Sequence, residues 1–380
     1  MIRALSLRNF KCFSALDLEL APLTLLTGFN AGGKSTTIQT LLLLEQTLRG
    51  PFFNPCLMLN GPTLSLGTSA DVLNATSGSQ MLSIGVASGG KSLTWQFAVS
   101  NNRLLTVDQL RVVADVPYTC GGGELFGIRP PTGGGEKVID AIESIVYLGA
   151  ARQVETEVYP SAFGAGLPRG DVGPIGQYAS WWLHELGDDA SPAARRHPDF
   201  PGREVVRQQV NAWLGDLFPG AEANSRPIDR TNLVRLELRS GVTSDWVRPS
   251  NIGFGISYAF PIIVAGLCAG EEQTVILDSP EAHLHPRAQS RVGRFLAQMA
   301  GSGAQMLIET HSDHVLNGVR IAVRDGLVRP EDTVIYFFTG LREAQVVRLS
   351  IDRSGSISNL PEGFFDQAER DLSDLAGWNA

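Results

Sequence analysis

Cysteine is sparse in this chain of 380 residues. Cys12, Cys56, Cys120 and Cys268 lie far apart, with no metal spacing and no disulfide framework. A reducing cytoplasm is the simplest compartment for such a pattern. Long hydrophobic runs are missing too. No stretch reaches about 18 apolar residues, so no membrane span is expected. The opening MIRALSLRNF alternates charged and apolar residues, which is not a signal-peptide layout. Positive charge is the minority sign, with a net charge of −8. That argues against a surface built for general polyanion binding and leaves room only for a local basic groove. Sustained heptads are absent, so a long coiled-coil arm is not expected. No internal repeat or low-complexity tract stands out. What remains is 43% hydrophobic and 18% charged, enough for a substantial core in one large α/β domain or two lobes.

Residues 2–8 and 16–20 alternate like half-buried strands. Residues 51–80 are rich in Pro, Gly, Asn and Ser and read as loops. Three strand-like runs between about 81 and 115 predict an antiparallel β element. Two glycine clusters, 121–123 and 133–135, read as surface loop, and a strand follows at SIVYLGA. The segment 161–244 changes character. IGQYASWWLHELG and REVVRQQVNAWLGDLF read as helices and NLVRLELRS as a strand, so this is expected to be an inserted helical lobe. From 251 the pattern returns to alternating helices and strands. The expected units are therefore a head built from 1–160 and 245–380, with the lobe between them.

Chemistry concentrates in four places. Gly28 to Ser35 reads GFNAGGKS and fits G-x-x-x-x-G-K-[ST], with an apolar strand before it and a helical run after it. In that pattern the backbone N–H groups of Asn30, Ala31, Gly32 and Gly33 wrap a phosphate chain. Lys34 reaches the β and γ phosphates, and the Ser35 hydroxyl ligates Mg²⁺. TVILDSPEAHLHP, at 274–286, is an apolar strand ending in Asp278, a carboxylate suited to hold the water shell of Mg²⁺. QMLIETHSDH, at 305–314, ends in Glu309, Thr310 and His311, where an imidazole suits a γ-phosphate or an attacking water. His283, His285, His311 and His314 also have spacings found in metal sites, but no Cys or further His completes a set. NIGFGISYAFPIIVAG, at 251–266, is a glycine turn opening a helix, with Gly253, Gly255 and Ser257 at its start. Such a turn binds anions. In a chain that already has a phosphate loop, it makes most sense as a grip on the nucleotide of another subunit. The alternative is a tight turn before a buried helix.

Together these motifs resemble the ABC-type ATPase heads of the SMC and OLD kind, above all the compact standalone bacterial AAA-family ATPases. LSLRNFKCF, LNGPTLSLGTSADVL, YLGAARQVETEVYP, PEAHLHPRAQ, IETHSDHVLNGVR and LPEGFFDQAERDLSDL carry the likeness from end to end, weakest over 161–230. The resemblance implies an α/β P-loop NTPase fold with a mixed central sheet, an antiparallel β lobe and an inserted helical lobe. It implies a phosphate loop from Gly28 through Gly33, Lys34 and Ser35 to Thr36, Asp278 as the Walker B acid, and His311 as the switch histidine. Gly253, Gly255 and Ser257 take the signature role, donated in trans. Asp71 stands in for the Q-loop ligand of Mg²⁺. Asn9 and Lys11 lie near the base or sugar. Arg152 has a structural role or sits at a nucleotide edge or, like Lys11, serves as an ordinary ion-pair partner.

One departure matters. ABC ATPases usually place Glu directly after the Walker B acid, whereas Ser279 stands here and a serine hydroxyl is a poor base. Glu281, two residues on, is the expected replacement, working with His311. The rival is slow hydrolysis in an ATP-gated clamp. The functional expectation is an ATPase using ATP and Mg²⁺ that dimerises head to tail, or forms a higher even oligomer. It would act on a separately encoded effector such as a nuclease, in bacterial anti-phage defence. OLD-type nucleases carry a Toprim domain after the head, and the roughly 55 residues after the last motif helix are too few for one. The alternatives are a RecF-like DNA clamp, which would contact nucleic acid directly, and a non-hydrolysing assembly scaffold.

Overall fold

The computed structural model describes all residues except 51–54, 101–103, 115, 116, 132, 133, 154, 155, 242, 340–344, 366 and 377–380. Gly133, from the second glycine cluster, therefore lies outside the described residues.

The chain opens with a hairpin of β1 (Ile2–Phe10) and β2 (Phe13–Glu19), followed by β3 (Leu23–Gly28) and α1 (Lys34–Arg49). A single helical turn, α2 (Ser69–Val72), interrupts the irregular stretch after α1. Next come β4 (Met81–Ser88), β5 (Lys91–Ser100), β6 (Leu104–Val113) and β7 (Tyr118–Gly121). They extend the first hairpin into a six-stranded antiparallel sheet ordered β2-β1-β4-β5-β6-β7. The antiparallel element is thus larger than 81–115, because the N-terminal hairpin pairs onto β4 from more than seventy residues away in sequence.

After α3 (Glu136–Glu143), β8 (Val146–Leu148) and β9 (Val158–Pro160), the segment that reads as helical holds α4 (Ala179–Leu186) and α5 (Val206–Leu217). It also holds β10 (Glu222–Pro227) and β11 (Leu233–Arg239), which form a small sheet ordered β10-β11-β9. The remainder alternates: α6 (Phe254–Cys268), β12 (Thr274–Asp278), α7 (Pro286–Gly301), β13 (Gln305–Glu309), α8 (Asp313–Arg324), β14 (Thr333–Thr339), β15 (Gln345–Leu349) and α9 (Gln367–Leu375).

The central sheet is mixed. Its order is β15-β14-β3-β13-β12-β8, parallel throughout except for β15. Its inner strands are apolar on both faces, as a sheet covered on both sides requires. Alternation within each strand divides the core in two. Leu23, Leu25, Val275, Leu277, Met306 and Ile308 pack with α4 to α8. Leu26, Ile276 and Leu307 pack with α1 and the antiparallel sheet. The helices of 161–244 feed the first of these cores through Leu183, Val210 and Trp213, and so share one apolar interior with the parallel sheet.

Candidate functional site

The site forms at the carboxyl ends of the parallel strands, where open α/β sheets hold ligands. β3 ends at Gly28, β12 at Asp278 and β13 at Glu309, and the register pairs Asp278 with Glu309 and Glu309 with Leu26. Two loop positions demand glycine. Gly28 has φ 127° and a Cβ there would stand 2.3 Å from the Phe338 carbonyl oxygen; Gly33 has φ 105° and caps α1. The N-terminus of α1, with its free N–H groups and partial positive charge, faces the loop.

Lys34 is buried, and its Nζ donates to the carbonyls of Gly28 at 3.1 Å and Phe29 at 2.8 Å. Burial lowers its pKa, against the pull of Glu309 and Asp278. A cavity of about 360 Å³ opens here, lined by Asn30, Ala31, Gly32, Gly33, Lys34, Ser35, Thr36, Lys11, Glu309 and His311 among others. Lys11 Nζ donates to Gln39 Oε1 at 2.7 Å.

The turn after β12 is braced from several sides. Ser279 has φ 48°, a left-handed conformation that a serine holds only when its surroundings fix it. Its N–H donates to the Glu309 carbonyl at 2.9 Å, and its hydroxyl donates to Asp278 Oδ1 at 2.8 Å. Arg152 Nη2 donates to the carbonyls of Asp278 at 3.0 Å and Ser279 at 3.1 Å, and Nη1 reaches the Tyr258 carbonyl at 3.5 Å. Arg152 thus ties the turn after β12 to the second turn of α6. Burial pushes its pKa down to about 10. Glu281 accepts from Thr310 Oγ1 at 2.7 Å and from the His311 backbone N–H at 2.8 Å, which sets the carboxylate beside the histidine. Burial and Lys34 lower the His311 pKa, so its neutral form is favoured near pH 7.

Glu309 is the residue to which the sequence motifs gave no role. It is only 4% exposed. Its Oε1 accepts from Ser35 Oγ at 2.7 Å, while Oε2 is buried with no hydrogen-bond partner among the described residues. Burial pushes its pKa up to about 7. The signal for it was present: an acid ending the strand beside β3, one residue before Thr310. Magnesium fits this corner. A serine hydroxyl and two carboxylates supply hard oxygen ligands, and one of those oxygens lacks any other partner among the described residues.

Other residues stand apart from the cavity. Gly253 caps α6, and a Cβ on Gly255 would stand 3.1 Å from the Phe218 ring. Ser257 is buried, and its hydroxyl has no hydrogen-bond partner among the described residues. None of the three lines the phosphate-loop cavity. Asp71 is exposed, and its Oδ2 accepts from the N–H and hydroxyl of Thr68, both at 2.7 Å, capping α2. Asn9 is buried and clamps the turn before β4 through Ser77, Ser79 and Met81 rather than facing the cavity. His283 stacks on Tyr258 with ring centroids 4.3 Å apart, and His285 caps α7.

Residues 186–317 match the family described as "AAA domain, putative AbiEii toxin, Type IV TA system", and 328–375 match "Protein of unknown function (DUF3696)". The first match takes in Asp278, Glu281 and His311 and leaves out the phosphate loop. An OLD nuclease of Thermus scotoductus is 26% identical over 339 residues, covering 82% of this chain. The chain spans 59% of that relative's length. Among solved structures, an SMC head domain with an extended coiled coil, bound to the C-terminal domain of ScpA from Pyrococcus furiosus, aligns over 99% of both chains with TM-score 0.55 at 13% identity. An SMC head bound to the C-winged-helix domain of ScpA aligns over 93% of this chain and 98% of its own, with TM-score 0.54 at 13% identity. These two likenesses are of fold.

Proposed function

We propose that the chain carries an ABC-type ATPase head of the SMC/OLD-like class and that it binds and hydrolyses ATP in a head-to-tail dimer. The observation that carries this reading is that Lys34, Ser35 and His311 line one cavity, with Glu281 bonded to the His311 N–H and Asp278 in register with the cavity's Glu309, while Gly253, Gly255 and Ser257 do not line it. One copy supplies phosphate loop and acids, and the other supplies Gly253, Gly255 and Ser257. The N–H groups of 30–33 and Lys34 hold the phosphates; Ser35 and Asp278 hold Mg²⁺, which neutralises the charge that develops during transfer. Glu281 orients the water and takes its proton, with His311 beside the γ-phosphate. Lys11 edges the nucleotide. Asp71, committed to capping α2, is not assigned to the metal.

Closure of the dimer transmits nucleotide state to an effector. The likeness to an OLD nuclease, of whose length this chain spans 59%, supports a nuclease as that effector, serving anti-phage defence. The expected units remain a head from 1–160 and 245–380 and an insert at 161–244. Ser279 favours a second reading, a scaffold with slow turnover, because its hydroxyl is engaged by Asp278.

Steady-state turnover and light scattering test both readings. Lys34→Ala is expected to weaken ATP binding about 100-fold through loss of charge-assisted bonds. Glu281→Gln is expected to keep ATP and lose roughly 10²–10⁴ in rate, and to double in mass with saturating ATP. Wild-type turnover in Glu281→Gln removes the base. A monomer under saturating ATP removes the trans site.

A further inference from the structure

A buried carboxylate with an orphaned oxygen is costly, the more so when charged, and native structures rarely keep one without a use. Glu309 is such a group, in the corner already occupied by Ser35, Lys34 and Asp278. Two acids at adjacent strand ends, in register with one another, give this corner more negative charge than Asp278 alone supplies. Among the described residues, the single hydrogen bond of the Glu309 side chain is to the Ser35 hydroxyl, the group the phosphate-loop pattern assigns to Mg²⁺.

We infer that Glu309 is a second carboxylate of the divalent-cation site, sharing the ion with Ser35 and Asp278. This rests on the nucleotide reading of the cavity and sharpens it. Magnesium keeps several waters and is held by one or two carboxylates plus substrate phosphates, and Asp278 with Glu309 makes the second carboxylate available. A brace role alone, fixing the first turn of α1 through Ser35, leaves Oε2 unexplained. A cation explains both oxygens.

The test is Mn²⁺ binding by electron paramagnetic resonance, on the full chain with a non-hydrolysable ATP analogue. Glu309→Gln keeps an acceptor for Ser35 and removes the charge. It is expected to weaken Mn²⁺ at least tenfold, while binding of the analogue in EDTA stays within twofold. Glu45→Gln, a buried acid elsewhere, is expected to leave Mn²⁺ affinity unchanged. Equal Mn²⁺ affinity in Glu309→Gln and wild type overturns the inference. If Glu309→Gln does not fold by circular dichroism, Glu309→Asp replaces it. That variant keeps the charge one methylene short, so weakened Mn²⁺ binding supports the assignment and unchanged binding overturns it. Failure of the wild type to bind the analogue at all, with or without metal, defeats the nucleotide reading instead.

Discussion

The two ends of α1 each meet a buried acid, and the two acids are treated oppositely. The helix has 16 residues, about 24 Å at 1.5 Å per residue. At its start stands Glu309, and in its last turns stands Glu45. Both are 4% exposed, and burial raises both pKa values to about 7. Glu45 is fully partnered. One oxygen meets Arg49 at 2.6 Å, and the other accepts from Thr63 at 3.1 Å. Arg49 goes on to Asp171 at 2.9 Å and to the carbonyls of Glu143 and Ile145. Among the described residues the Glu309 side chain has one hydrogen bond and one orphaned oxygen. A larger cavity, about 670 Å³, opens at the Glu45 end, against about 360 Å³ at the phosphate loop. Volume alone would favour the far end as a ligand site. Hydrogen-bond accounting favours the near end, because satisfied charges hold a fold and unsatisfied ones await a ligand.

The comparison breaks most sharply at Arg49. Arg49→Ala removes the shared partner of Glu45 and Asp171 and frees two backbone carbonyls. Stripping one member from a buried charge network costs about 3–5 kcal/mol. Urea denaturation is expected to show that loss, while folded Arg49→Ala binds an ATP analogue within twofold of wild type. A loss under about 1 kcal/mol would deny the far network its structural role.

Glu45 offers a smaller effect with a direction in pH. Its folded pKa of about 7 lies above the ordinary glutamate value of 4.5, so between the two the folded state holds a proton that the unfolded state has released. Its stabilising contribution is complete below about pH 4.5 and fades as pH rises through 7, by about 3 kcal/mol. Arg49 opposes the shift. Asp171, from the loop before α4, is itself raised by burial and acts in the same sense as Glu45. Urea midpoints between pH 5 and 8 are expected to fall in wild type and to flatten in Glu45→Gln. Parallel curves for the two proteins would refute the assignment.

Much of the near end was legible beforehand. The glycine loop, the acid closing β12 and the histidine after β13 are local patterns, set by neighbours within a few residues. Glu309 reads in the sequence as a strand ending with no task. Its task depends on register: β13 lies between β3 and β12, and no local pattern says so. The same blindness hid the pairing of β1 with β4 and the role of Asn9. Asn9 looked like a nucleotide neighbour by position and proved to be a clamp on a distant turn. Arg152 reads from sequence as structural, as a nucleotide-edge residue or as an ion-pair partner; in the structure its guanidinium satisfies the backbone carbonyls of Tyr258 and of Asp278, twenty residues further on. Local chemistry reads from sequence; long-range satisfaction of polar groups does not.

The smallest effect is expected at Asp71, an acid belonging to neither end. Its carboxylate is exposed and engaged with Thr68. Hydrogen bonds from Thr68 hold its pKa below the ordinary value, as a capping carboxylate should show. Removing a cap loosens a helix end without creating a buried unpaired charge. Asp71→Ala is therefore expected to lower the melting temperature slightly and to leave Mn²⁺ affinity at the wild-type value. That outcome separates the three acids by their accounts: Glu45 matters to the fold, Glu309 to the cation, and Asp71 to one turn of helix. A tenfold loss of Mn²⁺ in Asp71→Ala would mean that α2 swings over the cavity when nucleotide binds. The metal would then draw on a carboxylate that hydrogen-bond satisfaction alone had placed outside the site.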